Sequence, residues 1–312
     1  MIDEEMNDNQ LSFYNCTVKD GFIFTAIVEP INVHNAIVIR SPEYCDCWSP
    51  KVPFSKRSLS EHITYISRNN VEEALIIADS LDFLTECSSL KKLYIIPADT
   101  ANKFDYSPLY QLNPTFLHCI TRYGGSNEPY QTTIDYRKLK SLTEICADGA
   151  GHLHYGDLPL LERLYINDKK LTAYPMSETE NKLCYLEITG SGLRNLSGIS
   201  CSPLRELNLY YNYKLSDASD IRTLGATLQK LTIWNCPKVQ DFSFLSQLPH
   251  LKRLVLIGSN KLPDVSFLNN MPELEYLKFS MEIVDGNLQP CLGIPTARCL
   301  KHKKHYNIRL SK

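Results

Sequence analysis

The chain has 312 residues, of which 43% are hydrophobic and 22% charged, with a formal net charge of −2. That balance is ordinary for a globular protein, and it excludes a global field drawing the chain to nucleic acid or to an anionic membrane. The longest apolar runs, such as Phe22 to Val28, are too short to span a bilayer, so no membrane role is expected.

The first ten residues, MIDEEMNDNQ, are acidic and polar and lack the basic and apolar regions of a secretory signal. The 11 cysteines are odd in number and scattered without paired spacing. Without an export signal they read as reduced thiols, and the expectation is a cytoplasmic monomer. CTVKDGFIFTAIVE and NAIVIRS predict strands, with Lys19-Asp20-Gly21 as a hairpin turn between the first two. The Pro- and Ser-containing stretch SPEYCDCWSPKVPFSKRS reads as a loop. Residues 1–65 are therefore expected to form a β-rich N-terminal cap covering the open end of a repeat region.

The repeats themselves are explicit in the second half of the chain. LERLYI, LCYLEI, LRELNL, LQKLTI, LKRLVL and LEYLKF share the form L-x-x-L-x-[LIF] and begin at Leu161, Leu183, Leu204, Leu228, Leu251 and Leu274. The offsets are 22, 21, 24, 23 and 23 residues. LKKLYI begins at Leu90. VEEALI at Val71 and LTEICA at Leu142 fit if Ala74, Ile145 and Ala147 replace leucines, and a further copy is expected around Leu117. This makes about ten repeats over residues 66–285, with residues 286–312 as a C-terminal cap and basic tail. Leu-x-Leu alternation sets two apolar side chains on one face of a short strand and the intervening ones on the other. One unit cannot bury its apolar face alone, but stacked units can.

Three residues past each strand core stand Ser191, Asn212, Cys236 and Ser259, followed by apolar Leu193, Leu215, Val239 and Leu262, then by Asp217, Asp241 and Asp264. Each aspartate is read as a turn residue satisfying backbone N–H groups. The whole pattern resembles the leucine-rich repeat, in its short internalin-like, bacterial form. The resemblance implies an α/β solenoid: a horseshoe with a concave parallel β-sheet and a convex side mostly of 3₁₀ turns. It is specific over residues 161–285 and looser before them.

The residues between the leucines are the candidate site. Three outward columns are expected: Arg163, Tyr185, Glu206, Lys230, Arg253 and Tyr276; then Tyr165, Glu187, Asn208, Thr232, Val255 and Lys278; then Asn167, Thr189, Tyr210, Trp234, Ile257 and Ser280. Tyr, Trp and Arg dominate binding energy at interfaces. Strands about 5 Å apart would join Tyr210, Trp234 and Ile257 into one apolar strip, flanked by Arg163, Lys230 and Arg253. A protein partner is expected on this concave face. The competing explanation is that strand aromatics simply pack on one another across the ladder.

Other chemistry has weaker support. Cys291, Cys299, His302 and His305 lack a standard zinc spacing and sit among lysines, so a solvated basic tail is expected, without metal. Cys45 and Cys47 with His34 or His62 are weaker still. His152 and His154 share a face only if their segment is a strand. The basic tail comes with no nucleic-acid motif. None of the nucleophile-elbow, phosphate-loop, dinucleotide or zinc-helix motifs is present, so neither catalysis nor a cofactor is expected. The function expected is protein binding, for example as an immunity or inhibitor protein. The alternatives are an effector or adaptor acting on host proteins, and an enzyme or ubiquitin-ligase component with its activity in residues 1–65.

Overall fold

The computed structural model describes residues 13–27, 33–40, 55–97, 104–120, 134–149, 152–176 and 181–311. The chain divides into two compact units, Met1–Ile134 and Asp135–Lys312.

In the first unit, β1 (Phe13–Lys19) and β2 (Phe22–Ile27) form an antiparallel hairpin in which Lys19 faces Phe22. Between them Asp20 and Gly21 both take positive φ, 54° and 82°. Two left-handed residues give the turn whose twist matches a right-twisted ribbon, which is why Asp-Gly stands there. β3 (Val33–Arg40) pairs antiparallel with β2 and parallel with β4 (Glu73–Ala78). β5 (Lys92–Pro97) and β6 (Phe116–Ile120) continue the parallel register, with Ala74, Leu93 and Leu117 in one row. The copy expected near Leu117 is β6. Parallel pairing thus starts at β3, inside the segment expected to be a cap.

α1 (Leu59–Asn69) is not among the expected elements, yet its signal is in the sequence. Ser58 and Glu61 form a capping box, each side chain bonding the other residue's backbone N–H. The Ser58 N–H and the Arg57 guanidinium together hold the Glu61 carboxyl down to about 2. The helix buries His62 and Ile66, with Phe22 edge-on to His62 at 5.0 Å and against Tyr65 at 4.2 Å. α2 (Ser107–Leu112) is a shorter helix that buries Pro108 and Leu109. Residues 41–54, with Cys45 and Cys47, lie outside the described residues.

The second unit is a ladder of parallel strands: β8 (Glu144–Asp148), β10 (Arg163–Asn167), β11 (Tyr185–Thr189), β12 (Glu206–Tyr210), β13 (Lys230–Trp234), β14 (Arg253–Ile257), β16 (Tyr276–Phe279) and β18 (Thr296–Cys299). The two-residue strands β7 (Ile134–Asp135), β9 (His152–Leu153), β15 (Lys261–Leu262) and β17 (Glu282–Ile283) stand outside it. Neighbours pair without slip, so Leu164, Leu186, Leu207, Leu231, Leu254 and Leu277 form one buried row. Each such leucine contributes about 1.5–3 kcal/mol by leaving water. The last rung, β18, lies in the segment expected as a C-terminal cap.

Opposite the sheet runs a layer of 3₁₀ turns, among them Ser219–Leu224, Ser243–Gln247 and Ser266–Asn270. Asp217, Asp241 and Asp264 open them as the sequence predicts: each Oδ1 accepts the N–H two residues on, from Ser219 at 2.9 Å, Ser243 at 2.8 Å and Ser266 at 2.7 Å. These bonds, together with bonds from the same serines' hydroxyls (the larger influence at Asp264), hold the three carboxyls below the usual range. This is the architecture of a leucine-rich-repeat solenoid.

Candidate partner-binding face

Four strands of the second unit, β8, β11, β12 and β13, end in a left-handed residue that turns the chain off the sheet: Gly149, Gly190, Tyr211 and Asn235 have φ between 52° and 100°. Their N–H groups bond the last carbonyl of the next strand, as Tyr211 does to Trp234 at 2.8 Å and Asn235 to Ile257 at 2.8 Å. An inner polar ladder then locks the turn. Asn212 donates to the Ile188 carbonyl at 2.8 Å and accepts from the N–H and hydroxyl of Ser191 at 2.9 and 2.6 Å.

The unit starting at Leu251 departs from the expected assignment. Ser259 is exposed, and Asn260 takes the buried place, donating to the Cys236 and Val239 carbonyls at 3.1 and 2.6 Å. Gly258 gives its N–H to the Ser280 hydroxyl at 3.0 Å instead of to the next strand. Ser280, expected in the third outward column, is therefore buried in this turn.

The other column assignments hold as register. Arg163, Tyr185, Glu206, Lys230, Arg253 and Tyr276 are successive partners. So are Tyr165, Glu187, Asn208, Thr232, Val255 and Lys278, and so are Asn167, Thr189, Tyr210, Trp234 and Ile257.

Exposure divides these residues. Tyr165, Tyr185, Asn208, Thr232, Val255 and Ile257 are buried, although they point away from the core. Long side chains from adjacent strands cover the middle of this face. Arg163 lies 4.0 Å from the Tyr185 ring centroid and donates to the Tyr165 hydroxyl at 2.7 Å. The Tyr165 and Tyr185 rings sit 4.7 Å apart. Tyr185 donates to Glu187 at 2.9 Å and accepts from Asn208 at 3.2 Å. Burial and the nearby Glu187 push the Tyr185 hydroxyl well above its ordinary range, and burial pushes Tyr165 up to about 12. These tyrosines stay neutral and act as props. Cross-strand packing thus accounts for part of the aromatic content.

The side chains left partly or fully exposed are Arg163, Asn167, Glu187, Thr189, Glu206, Tyr210, Lys230, Trp234, Arg253, Tyr276 and Lys278. Tyr210 and Trp234 are half-buried neighbours with ring centroids 6.3 Å apart. Lys230 reaches Glu206 at 3.1 Å. The surface offered is an aromatic pair bordered by charge, with Ile257 as its nearly covered floor.

The first unit differs. Strands β3 to β6 are buried on both faces: Val38, Leu75, Ile77, Tyr94, Ile96 and Phe116 point away from the row of Ala74, Leu93 and Leu117 and are all buried. The sequence carries the signal as unbroken apolar runs, AIVI, ALII and LYII, where the second unit alternates.

The weaker constellations resolve into backbone contacts. His302 and His305 each place Nε2 on a carbonyl, of Ile308 at 2.7 Å and Ile283 at 2.9 Å. Cys291 and Cys299 are buried thiols that burial pushes up. In the basic tail Lys301, Lys303, Lys304 and Arg309 are exposed, while Tyr306 is buried and accepts the Ile283 N–H at 2.9 Å. His152 is buried with Nδ1 2.7 Å from the Tyr136 hydroxyl, whereas His154 leaves strand geometry at φ 63° and meets Asp157 at 3.6 Å. Among the described residues, no group of three or more His, Cys, Asp or Glu is placed to hold a metal ion.

No family model and no curated protein matches the chain. Among solved structures it is similar to an internalin of Listeria monocytogenes, at 17% identity and TM-score 0.48, over 74% of this chain and 67% of that one. It is also similar to a leucine-rich-repeat protein of Leptospira interrogans, at 15% identity and TM-score 0.47, over 74% and 66% of the two chains. A third is the leucine-rich-repeat ectodomain of a plant membrane receptor kinase from Arabidopsis thaliana, solved in complex with Casparian strip integrity factor 2. It matches at 13% identity and TM-score 0.44, over 68% of this chain and 26% of that one.

Proposed function

We propose that this chain is a protein-binding repeat module, not an enzyme, and that its partner seats on the outward face of β8 to β18. The carrying observation is the in-register pair Tyr210 and Trp234, half-exposed on a rigid ladder and bordered by Arg253, Lys230 and Glu206. Large amphipathic side chains held in place lose little entropy on binding, and for that reason they dominate interface energetics. A more specific form of the reading is a cytoplasmic immunity or inhibitor protein that acts as a monomer and masks a second protein. The free cysteines among the described residues, six of them buried, suit a reducing compartment.

The test compares partner recovery by the intact chain and by a Tyr210→Ala/Trp234→Ala variant of equal thermal stability. Recovery falling at least tenfold in the variant supports the face. Equal recovery refutes it.

A further inference from the structure

Charge is segregated along this face. The outward positions of β8 to β12 carry Glu144, Asp148, Glu187 and Glu206, with Arg163 as their one cation. From β13 to β18 the outward positions are Lys230, Thr232, Trp234, Arg253, Val255, Ile257, Tyr276, Lys278, Thr296 and Arg298. That half holds four cations and no carboxylate.

Arg253 is the best defined of the four. Its guanidinium lies 4.1 Å from the centroid of the Tyr276 ring, which fixes its plane while the side chain stays exposed. Among the described residues neither Arg253 nor Arg298 has a carboxylate within ion-pairing distance. A guanidinium stacked on an aromatic ring keeps its N–H fork free, and that fork matches a carboxylate with two parallel bonds. At the other end of the adjacent strand, in register with Ile257, Trp234 supplies an apolar surface. We infer that the partner lays a carboxylate-bearing segment, with an apolar side chain between its acids, across β13 to β18.

The inference rests on the protein-binding reading above and specifies its chemistry. A polyanionic nucleic acid is disfavoured, because a phosphate chain following the same columns meets Glu206 and Glu187 on the adjoining strands. A protein segment is short enough to stay on the cationic half, and acidic partners of this kind associate faster at low salt.

The probe is a displayed library of random 12-residue peptides, selected on the intact protein. Asp and Glu are expected to be enriched around an aromatic or aliphatic residue. An Arg253→Glu/Arg298→Glu variant with an unchanged circular dichroism spectrum is expected to bind the selected peptides at least tenfold more weakly. Binding is expected to return when the peptide acids are changed to Lys. No acidic enrichment, unchanged affinity in the reversed variant, or displacement of the peptides by a single-stranded oligonucleotide overturns the inference. If the charge-reversed variant keeps the natural partner while Tyr210→Ala/Trp234→Ala loses it, the face still binds protein and only the acidic chemistry fails. If both variants keep it, both readings fail.

Discussion

The guanidinium of Arg163 lies 4.0 Å above the Tyr185 ring of the next strand, and the same side chain bonds the Tyr165 hydroxyl at 2.7 Å. One cation thereby roofs two buried tyrosines and faces Glu144 at 3.3 Å. A partly desolvated stack of this kind contributes about 1–2 kcal/mol. Arg163→Leu is expected to lower unfolding free energy by roughly that amount. Arg163→Lys, which loses the planar fork, is expected to recover less than half. Urea titration of the three proteins checks this, and equal midpoints would remove Arg163 from the role.

A second expectation separates two adjacent residues. Asn260 is buried and donates to two carbonyls of the preceding repeat, while Ser259 is exposed. Asn260→Ala is expected to cost about 2–3 kcal/mol, since it strands buried carbonyls, and Ser259→Ala less than about 0.5 kcal/mol. The reverse order would mean the turn is registered one residue earlier, as the sequence pattern alone suggests.

The third concerns pH. Burial pushes the His152 imidazole down to about 4, and it pushes the Asp148 carboxyl up to about 6 against the bond from Asn167. Below its ordinary value of 6.5 the unfolded His152 takes a proton that the folded one refuses, so its contribution is lost as pH falls from 6.5 toward 4. Asp148 has the opposite sign. Its carboxyl ionises near 3.8 when unfolded but only near 6 when folded, so stability is lost as pH rises between those values. In one molecule the two contributions offset, each on the order of 3 kcal/mol. Asp148→Asn is expected to make the protein more acid-labile between pH 6.5 and 4, and His152→Gln to make it less so. Unfolding free energies at pH 4, 5 and 6.5 decide, and two variants that both track the parent would refute the pairing.

The fourth tests how closely the repeats stack. A Cβ built on Gly225 would fall 2.4 Å from the Gln247 carbonyl oxygen of the next 3₁₀ turn. The oxygen belongs to backbone and the Cβ is fixed by it, so neither yields easily. Gly225→Ala is expected to cost about 1–3 kcal/mol by forcing the turns apart. Gly293→Ala, where nothing lies within 4 Å, serves as the control and is expected to change stability by less than about 0.5 kcal/mol. Matching melting temperatures for the two would show that the turn layer is looser than this close approach implies.

Much of the fold is legible in the residues alone. Leu-x-Leu alternation at a near-constant period names the core row and, by exclusion, the outward columns. The aspartates before each 3₁₀ turn and the Asp20-Gly21 hairpin are readable because one local hydrogen bond or one pair of dihedrals decides them. The capping box at Ser58 and Glu61 is equally local, but it is masked by a stretch rich in Pro and Ser that reads as a loop. The unbroken runs ALII and LYII are visible too, and they distinguish strands buried on both faces from those with one open face.

What the sequence by itself determined is the repeat, the strand core and which residues share a column, since each depends on a period of two along a strand and about 23 along the chain. Only the tertiary structure decided which members of a column meet solvent. Tyr185 and Trp234 occupy equivalent outward faces, yet Arg163 roofs the first, while the second stays half-open. That difference depends on side chains arriving from neighbouring strands more than 20 residues away, and no pattern within one repeat encodes it.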